Sequence, residues 1–303
     1  MKPVTVTVFL LCLFSGCAPL TDETPLSVAA SYPVQFHIDF QEETLPFPPT
    51  KSMPAQMIPE PEAYESPATG GACNRLEYVV YRSGETVPLK NRHYTETDPD
   101  FGIVYDSLPE GNYRIAFLAH SSPHPDLSEE NVFSFDSISD TFFFLKEIEI
   151  HAGDEISPDI ALERVVSRVE FVAKDDVPAH LGQFDVKVAR YPDRFSLFTQ
   201  QGIVAPDTVS LSRIYAGNEA GRKNSVHFFY CFIPPKEEKM GVRLEARNTE
   251  KEVYYARNLE ISPLLNKIIR YTGRLYTVPF SDDSFVPEIN EVWDGTIENE
   301  LPD

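Results

Sequence analysis

Val34-Gln-Phe-His-Ile-Asp-Phe40 alternates without a break, placing Val34, Phe36, Ile38 and Phe40 on one face of an extended chain and Gln35, His37 and Asp39 on the other. Successive side chains of a strand point to opposite faces, so this period of two predicts a strand with one buried side. His37 then reads as an exposed strand residue and not as a ligand. The same signal recurs downstream. Leu76–Arg82 has strand character and ends at Ser83-Gly84. After a turn at Gly111-Asn112, Tyr113, Ile115 and Phe117 line one face, and a further strand fills Asp140–Ile150.

In the second half, Val165, Ser167, Val169 and Phe171 share a face opposite Arg168 and Glu170. Similar faces follow: Phe184, Val186 and Val188; Val226, Phe228, Tyr230 and Phe232; Val242, Leu244 and Ala246. Runs at Val253–Ile261, Ile268–Thr277 and Ile289–Trp293 complete the series, and nothing of helical length and period competes with them. Short strands separated by turn residues over two domain-sized halves predict an all-β chain of two β-sandwich domains, 33–160 and 161–303, meeting near Asp159–Arg164. Between Gln41 and Ala72 seven prolines and Gly70-Gly71 forbid a regular ladder, so 41–72 reads as a long loop of the first domain.

Ahead of the first strand stands MKPVTVTVFLLCLFSGC, with Lys2, an apolar run from Val4 to Phe14, then Ser15 and Gly16 before Cys17. The run is too short to span a bilayer, which takes about 20 apolar residues, so it reads as a cleaved signal peptide, 1–16. Cys17 is the expected lipidation site of a lipoprotein, and 17–32, polar and carrying Pro19 and Pro25, reads as a lipidated tether. Phe14 departs from the aliphatic residue usual at that place, and an ordinary secretory signal is the alternative. The protein is expected to leave the cytoplasm and to sit in the outer membrane by its lipid, exposed at the cell surface.

A formal net charge of -21 across 303 residues argues against nucleic acid and anionic lipid surfaces as partners, since both would repel the chain. With 21 Phe and 14 Tyr there is ample material for a core. Outside the signal and Cys17, only Cys73 and Cys231 remain, as one disulfide or as two free thiols, the free thiol being the easier reading for Cys231 in its aromatic strand. No GxSxG, HExxH, glycine-rich phosphate loop or CxxC occurs, and no cofactor or metal is expected. His93, His120, His124, His151 and His180 fall in turns or loops by this reading. Pro123 argues against the helix that would bring His120 and His124 onto one metal.

Four segments in order carry a resemblance: Leu108-Pro-Glu-Gly-Asn-Tyr113, Leu162-Glu-Arg-Val-Val-Ser-Arg-Val-Glu-Phe171, Ser262-Pro-Leu-Leu-Asn-Lys267 leading to Tyr271-Thr-Gly-Arg-Leu275, and Ile289-Asn-Glu-Val-Trp-Asp294. With the lipoprotein signal in front, they resemble the Bacteroidales fimbrillin superfamily, and the length suggests its FimB-type fimbrial anchor branch. The resemblance implies two transthyretin-like (Ig-like, Greek-key) β-sandwiches and a non-enzymatic role in a type V pilus. Its subunits polymerise when a strand of one fills a groove in the next, and in stalk subunits an Arg-specific protease first removes the first strand. The partners implied are other fimbrial subunits.

That mechanism bears on this sequence directly. Between Cys17 and Arg75 there is no Arg, and Lys51 is the one other basic residue. Val34, Phe36, Ile38 and Phe40 therefore belong to a strand expected to be retained, and Arg75 is the candidate processing site at which it would instead be lost. After Trp293 the chain is acidic and poor in apolar residues, a poor donor strand. The expected role is anchor or accessory subunit, with tip or stalk subunit and a surface lipoprotein binding glycan or another ligand as alternatives. For the last, Trp293 is the one tryptophan available, and it reads first as a core residue.

Overall fold

Residues 34–39 form the strand that their alternation predicts. In the computed structural model, which describes residues 30–39, 73–123, 125–128, 130–235, 238–278 and the backbone of 286–290, β1 (Ser31–Asp39) lies between β4 (Ile103–Pro109) and β9 (Asp159–Ala161). It runs antiparallel to β4 and parallel to β9, with Phe36 opposite Val104 and Ile38 opposite Ile160. A five-stranded sheet packs on this one, in the order β10 (Glu163–Arg164), β8 (Phe142–Ile150), β5 (Gly111–His120), β2 (Arg75–Arg82), β3 (Lys90–Thr95). Between the sheets Val34, Phe36 and Ile38 meet Leu76, Tyr78 and Val80 of β2, Val104 and Leu108 of β4, and Tyr113, Ile115 and Phe117 of β5.

The five-stranded sheet is buried on both sides. Val79 and Tyr81 of β2, with Ala116 and Leu118 of β5, face away from that core and into a second, larger one. This explains why Leu76-Glu-Tyr-Val-Val-Tyr81 reads as a nearly continuous apolar run, the pattern of a strand covered on both faces.

The second core belongs mainly to the chain beyond Val166. There β16 (Val226–Phe232), β11 (Val166–Ala173), β19 (Ile268–Gly273) and β20 (Val286–Asn290) form one sheet, with β11 and β19 parallel. β15 (Val209–Ile214), β12 (Leu181–Ala189), β17 (Met240–Asn248) and β18 (Val253–Ile261) form another. A fifth sheet, β14 (Gln201–Val204), β13 (Pro192–Ser196), β7 (Val132–Ser134), β6 (Asp126–Leu127), draws strands from both halves of the chain, with Phe195 opposite Phe133. Ser31–Asp303 accordingly forms one unit by its contacts. The expected junction at Asp159–Arg164 is occupied by β9 and β10, which pair with β1 and β8.

The all-β class is as predicted, and no helix among the described residues is long and apolar enough to cross a membrane. Several particulars differ. In β16 His227, Phe229 and Cys231 are buried, whereas of the expected face Val226, Phe228, Tyr230 and Phe232 only Phe232 is buried and Phe228 is 42% exposed. Both faces of Val226–Phe232 are aromatic, so alternation alone did not decide, and the outward rings are covered by Arg168, whose guanidinium lies 4.1 Å from the Phe228 ring centroid and 5.7 Å from that of Tyr230. His93 lies in β3 and His120 ends β5, so neither is a loop residue. Among the described residues the last strand is Val286–Asn290, which overlaps the expected Ile289–Trp293 at Ile289 and Asn290; 291–293 lie outside the described residues.

Candidate functional site: the slot of the first strand

β1 fills a slot whose floor is aromatic. Val34, Phe36 and Ile38 are buried, and the Phe36 ring sits 5.2 Å edge-on from Phe117 and 5.9 Å from Tyr78, which stack on each other at 5.1 Å. The slot thus has a central pocket shaped for an aromatic residue, flanked by two aliphatic positions. Its walls are backbone. Gln35 and His37 donate N–H bonds to Ile156 and Pro158 on the β9 side, and Ile38 donates to Gly102 on the β4 side. In this antiparallel register Val34, Phe36 and Ile38 turn their amides to β4, and the odd residues turn theirs to β9. Pro33, which has no N–H, falls on the odd row ahead of the first β9-side bond, where it costs no ladder bond.

Asp106, opposite Val34, joins β4 to the sheet below. Its side chain is 2% exposed and takes hydrogen bonds from Tyr78 Oη (2.9 Å), Lys90 Nζ (2.5 Å) and Arg92 Nη2 (3.0 Å). Burial, reinforced by the Asp106 charge, pushes the Tyr78 phenol well above its usual pKa, so it remains the donor. Lys90 also donates to Ser107 O (2.8 Å) and Arg92 to Tyr105 O (3.2 Å). The sequence reading missed this group. Lys90-Asn-Arg-His-Tyr-Thr95 has no apolar alternation to mark it as a strand, and nothing in the spacing pairs it with Asp106.

Arg75 opens β2, opposite Thr95 of β3 and His120 of β5. Asn74 on its other side also bonds both neighbours, donating to His120 O and accepting from Glu96 N. Beside it, Glu77 is a buried carboxylate held by His93 Nδ1 (2.5 Å) and His120 Nε2 (3.3 Å). The Ser122 N–H occupies His120 Nδ1, which leaves the proton on Nε2, facing Glu77. Among the described residues no group of three or more His, Cys, Asp or Glu could hold a metal ion. Cys73 and Cys231 are free and buried, and burial pushes both thiols up. Cys17, Phe40, His124, Trp293, the signal peptide and the loop 41–72 lie outside the described residues.

No protein-family model matches the chain, and no curated protein matches it in sequence. Solved structures do. A protein from Bacteroides thetaiotaomicron, provisionally described as polysaccharide-binding, superposes with a TM-score of 0.52 at 10% identity, covering 90% of this chain and 99% of its own. One from Bacteroides ovatus, provisionally described as an adhesin, gives 0.50 at 11% identity, covering 82% and 88%. The fimbrial anchor protein Mfa2 from Porphyromonas gingivalis gives 0.43 at 11%, covering 86% and 96%, too loose a likeness to carry an argument. The chain shares the fold of the two Bacteroides proteins.

Proposed function

We propose that this protein is a non-enzymatic, lipid-anchored subunit of a surface fimbria, and that it serves as an anchor or accessory subunit which keeps its own first strand. The observation that carries the reading is β1 itself. It is an N-terminal strand, separated from β2 by 35 residues of sequence (40–74), yet it supplies the centre of a sheet and part of the main core of the first half. Such a strand is a detachable element in covalent terms and an integral one in energetic terms. Burying Val34, Phe36 and Ile38 is worth about 1.5–3 kcal/mol each, so a subunit that lost β1 would need another strand of the same pattern.

Retention is supported by where the basic residues stand. The bond after Arg75 lies inside a ladder paired on both sides. A protease takes its substrate as a free extended segment, so cutting there requires β2 to open from both neighbours first. The shared fold with a protein described as an adhesin agrees with a surface role, and Cys17 supplies the tether.

The test is made on cells. Labelling with a palmitate analogue should mark the wild-type protein and fail to mark Cys17→Ala, and the protein should co-purify with fibre bases in the outer membrane. Labelling that persists in Cys17→Ala would remove the anchor. Glycan-array binding with no fibre association would favour a ligand-binding surface lipoprotein.

A further inference from the structure

β4 is an edge strand, and among the described residues its one strand partner is β1. An unpaired edge is a template for another strand. In β4 the even residues bond β1, so the outward row comprises the odd positions, Ile103, Tyr105, Ser107 and Pro109. The central outward carbonyls are already taken, Tyr105 O by Arg92 and Ser107 O by Lys90, and at the strand's end Pro109 O accepts from Tyr113 Oη. Arg92 and Lys90 converge on Asp106, the buried carboxylate between the two central carbonyls, where Tyr78 completes the group. At the opposite edge β9 is three residues long and offers little to pair with.

We infer that Lys90, Arg92 and Asp106 form a clamp that closes the outer edge of β4, so that the first half can take a strand only in the position of β1. The clamp has three effects. It fills the acceptors that a strand added outside β4 would need, and it puts two cations where that strand would lie. It also holds β4 in register with β2 and β3 through side chains alone, so the slot keeps this wall when β1 is absent. Lys90, Arg92 and Asp106 are positioning residues in this sense: they direct where strand pairing occurs without touching the incoming strand's side chains. The inference rests on the strand-exchange reading only for the third effect.

The test compares the full-length soluble chain, carrying Cys17→Ala, with a clamp variant. Lys90→Met, Arg92→Met and Asp106→Asn are combined so that no buried charge is left alone. The wild-type edge should stay monomeric. The variant should self-associate about tenfold or more tightly, reflecting two freed backbone acceptors, and hydrogen exchange should show the Tyr105 and Ser107 amides becoming protected as it does so. A folded variant that remains monomeric, with those amides exchanging as in wild type, would overturn the clamp. If the triple variant does not fold, Arg92→Gln decides the matter, since it frees Tyr105 O and leaves the Lys90–Asp106 pair: association must rise there too, and unchanged association would overturn the clamp.

A separate arm isolates the exchange reading. A protease site placed after Ser52 nicks the chain between β1 and β2, and a labelled Ser31–Asp39 peptide is added. Uptake with release of the native β1 fragment supports exchange at the slot. Uptake without release would contradict the clamp. No uptake, alongside self-association of the clamp variant, would sink strand exchange and leave the clamp standing.

Discussion

Phe36 is the residue on which the slot depends. It is 1% exposed and its ring meets both Tyr78 and Phe117. Phe36→Ala should cost about 3–5 kcal/mol, a large part of a domain's whole stability, whereas Gln35→Ala, on the other face, should stay within about 0.5 kcal/mol. Urea midpoints of the two variants check this. A second residue-scale prediction concerns His227, whose Nε2 lies 3.0 Å from Tyr215 Oη and 2.9 Å from Tyr276 Oη, with the two phenols 2.8 Å apart. Burial, with the Arg213 charge nearby, lowers its pKa to about 3. The unfolded chain then binds the extra proton first, so this site loses stability as pH falls from about 6.5 towards 3 and contributes no slope above 6.5. His227→Gln should flatten the acid limb, sparing on the order of 2 kcal/mol between pH 7 and pH 4.5; an unchanged limb in urea titrations at both pH values would refute it. Of these residues, Phe36 was legible from its period, while the burial of His227 was not, because Val226–Phe232 is aromatic on both faces. The Asp106 group was not legible, since a contact between residues on separate sheets leaves no trace in local spacing.

At the scale of elements, the strands with an apolar run or face were read correctly, the doubly buried β2 and β5 among them, and the polar or short ones were not. β12 and β17 followed from Phe184, Val186 and Val188 and from Val242, Leu244 and Ala246, all of them buried. β3, all polar but for Tyr94, and β13 with β14, short and mixed, gave no period to read. Yet β14 has a strict requirement. A Cβ on Gly202 would stand 2.8 Å from the Cβ of Phe232, 2.9 Å from that of Pro192 and 3.1 Å from Ile233 O. The Gly202 N–H donates to that same carbonyl, so β14 rests directly against the end of β16. Gly202→Ala should therefore cost about 1–3 kcal/mol by overpacking. Gly217→Ala, where a Cβ meets nothing within 4 Å, serves as the control; equal thermal midpoints for the two variants would contradict the close approach.

The whole molecule is stitched across its middle. The larger core takes Val79, Tyr81, Phe133 and Phe135 from the first half and Phe184, Phe195 and Phe232 from the second. Arg164 grips Asp140 through two bonds (2.7 and 3.0 Å) and reaches Asn266 Oδ1 at 2.9 Å. Arg114 of β5 lies 3.9 Å from the Phe198 ring centroid in the turn between β13 and β14. Arg164→Ala would leave the half-buried Asp140 without the cation it bonds, a loss of about 1–3 kcal/mol. Wild type should unfold in one transition by both calorimetry and circular dichroism, and the variant at a lower temperature; two separate wild-type transitions would show that the shared core does not couple the halves. The all-β class was foreseeable from strand spacing, but the sheet shared by β7 and β13 was not, because neither strand has a sequence signature of its own.

The retention of β1 is tested most directly by the N-terminus and intact mass of the native protein from purified outer membrane. An acylated chain beginning at Cys17, with residues 31–39 still present, is the result predicted here. A mature chain beginning at Leu76 would contradict it, because the subunit would then have surrendered both its lipid and the strand that completes its core.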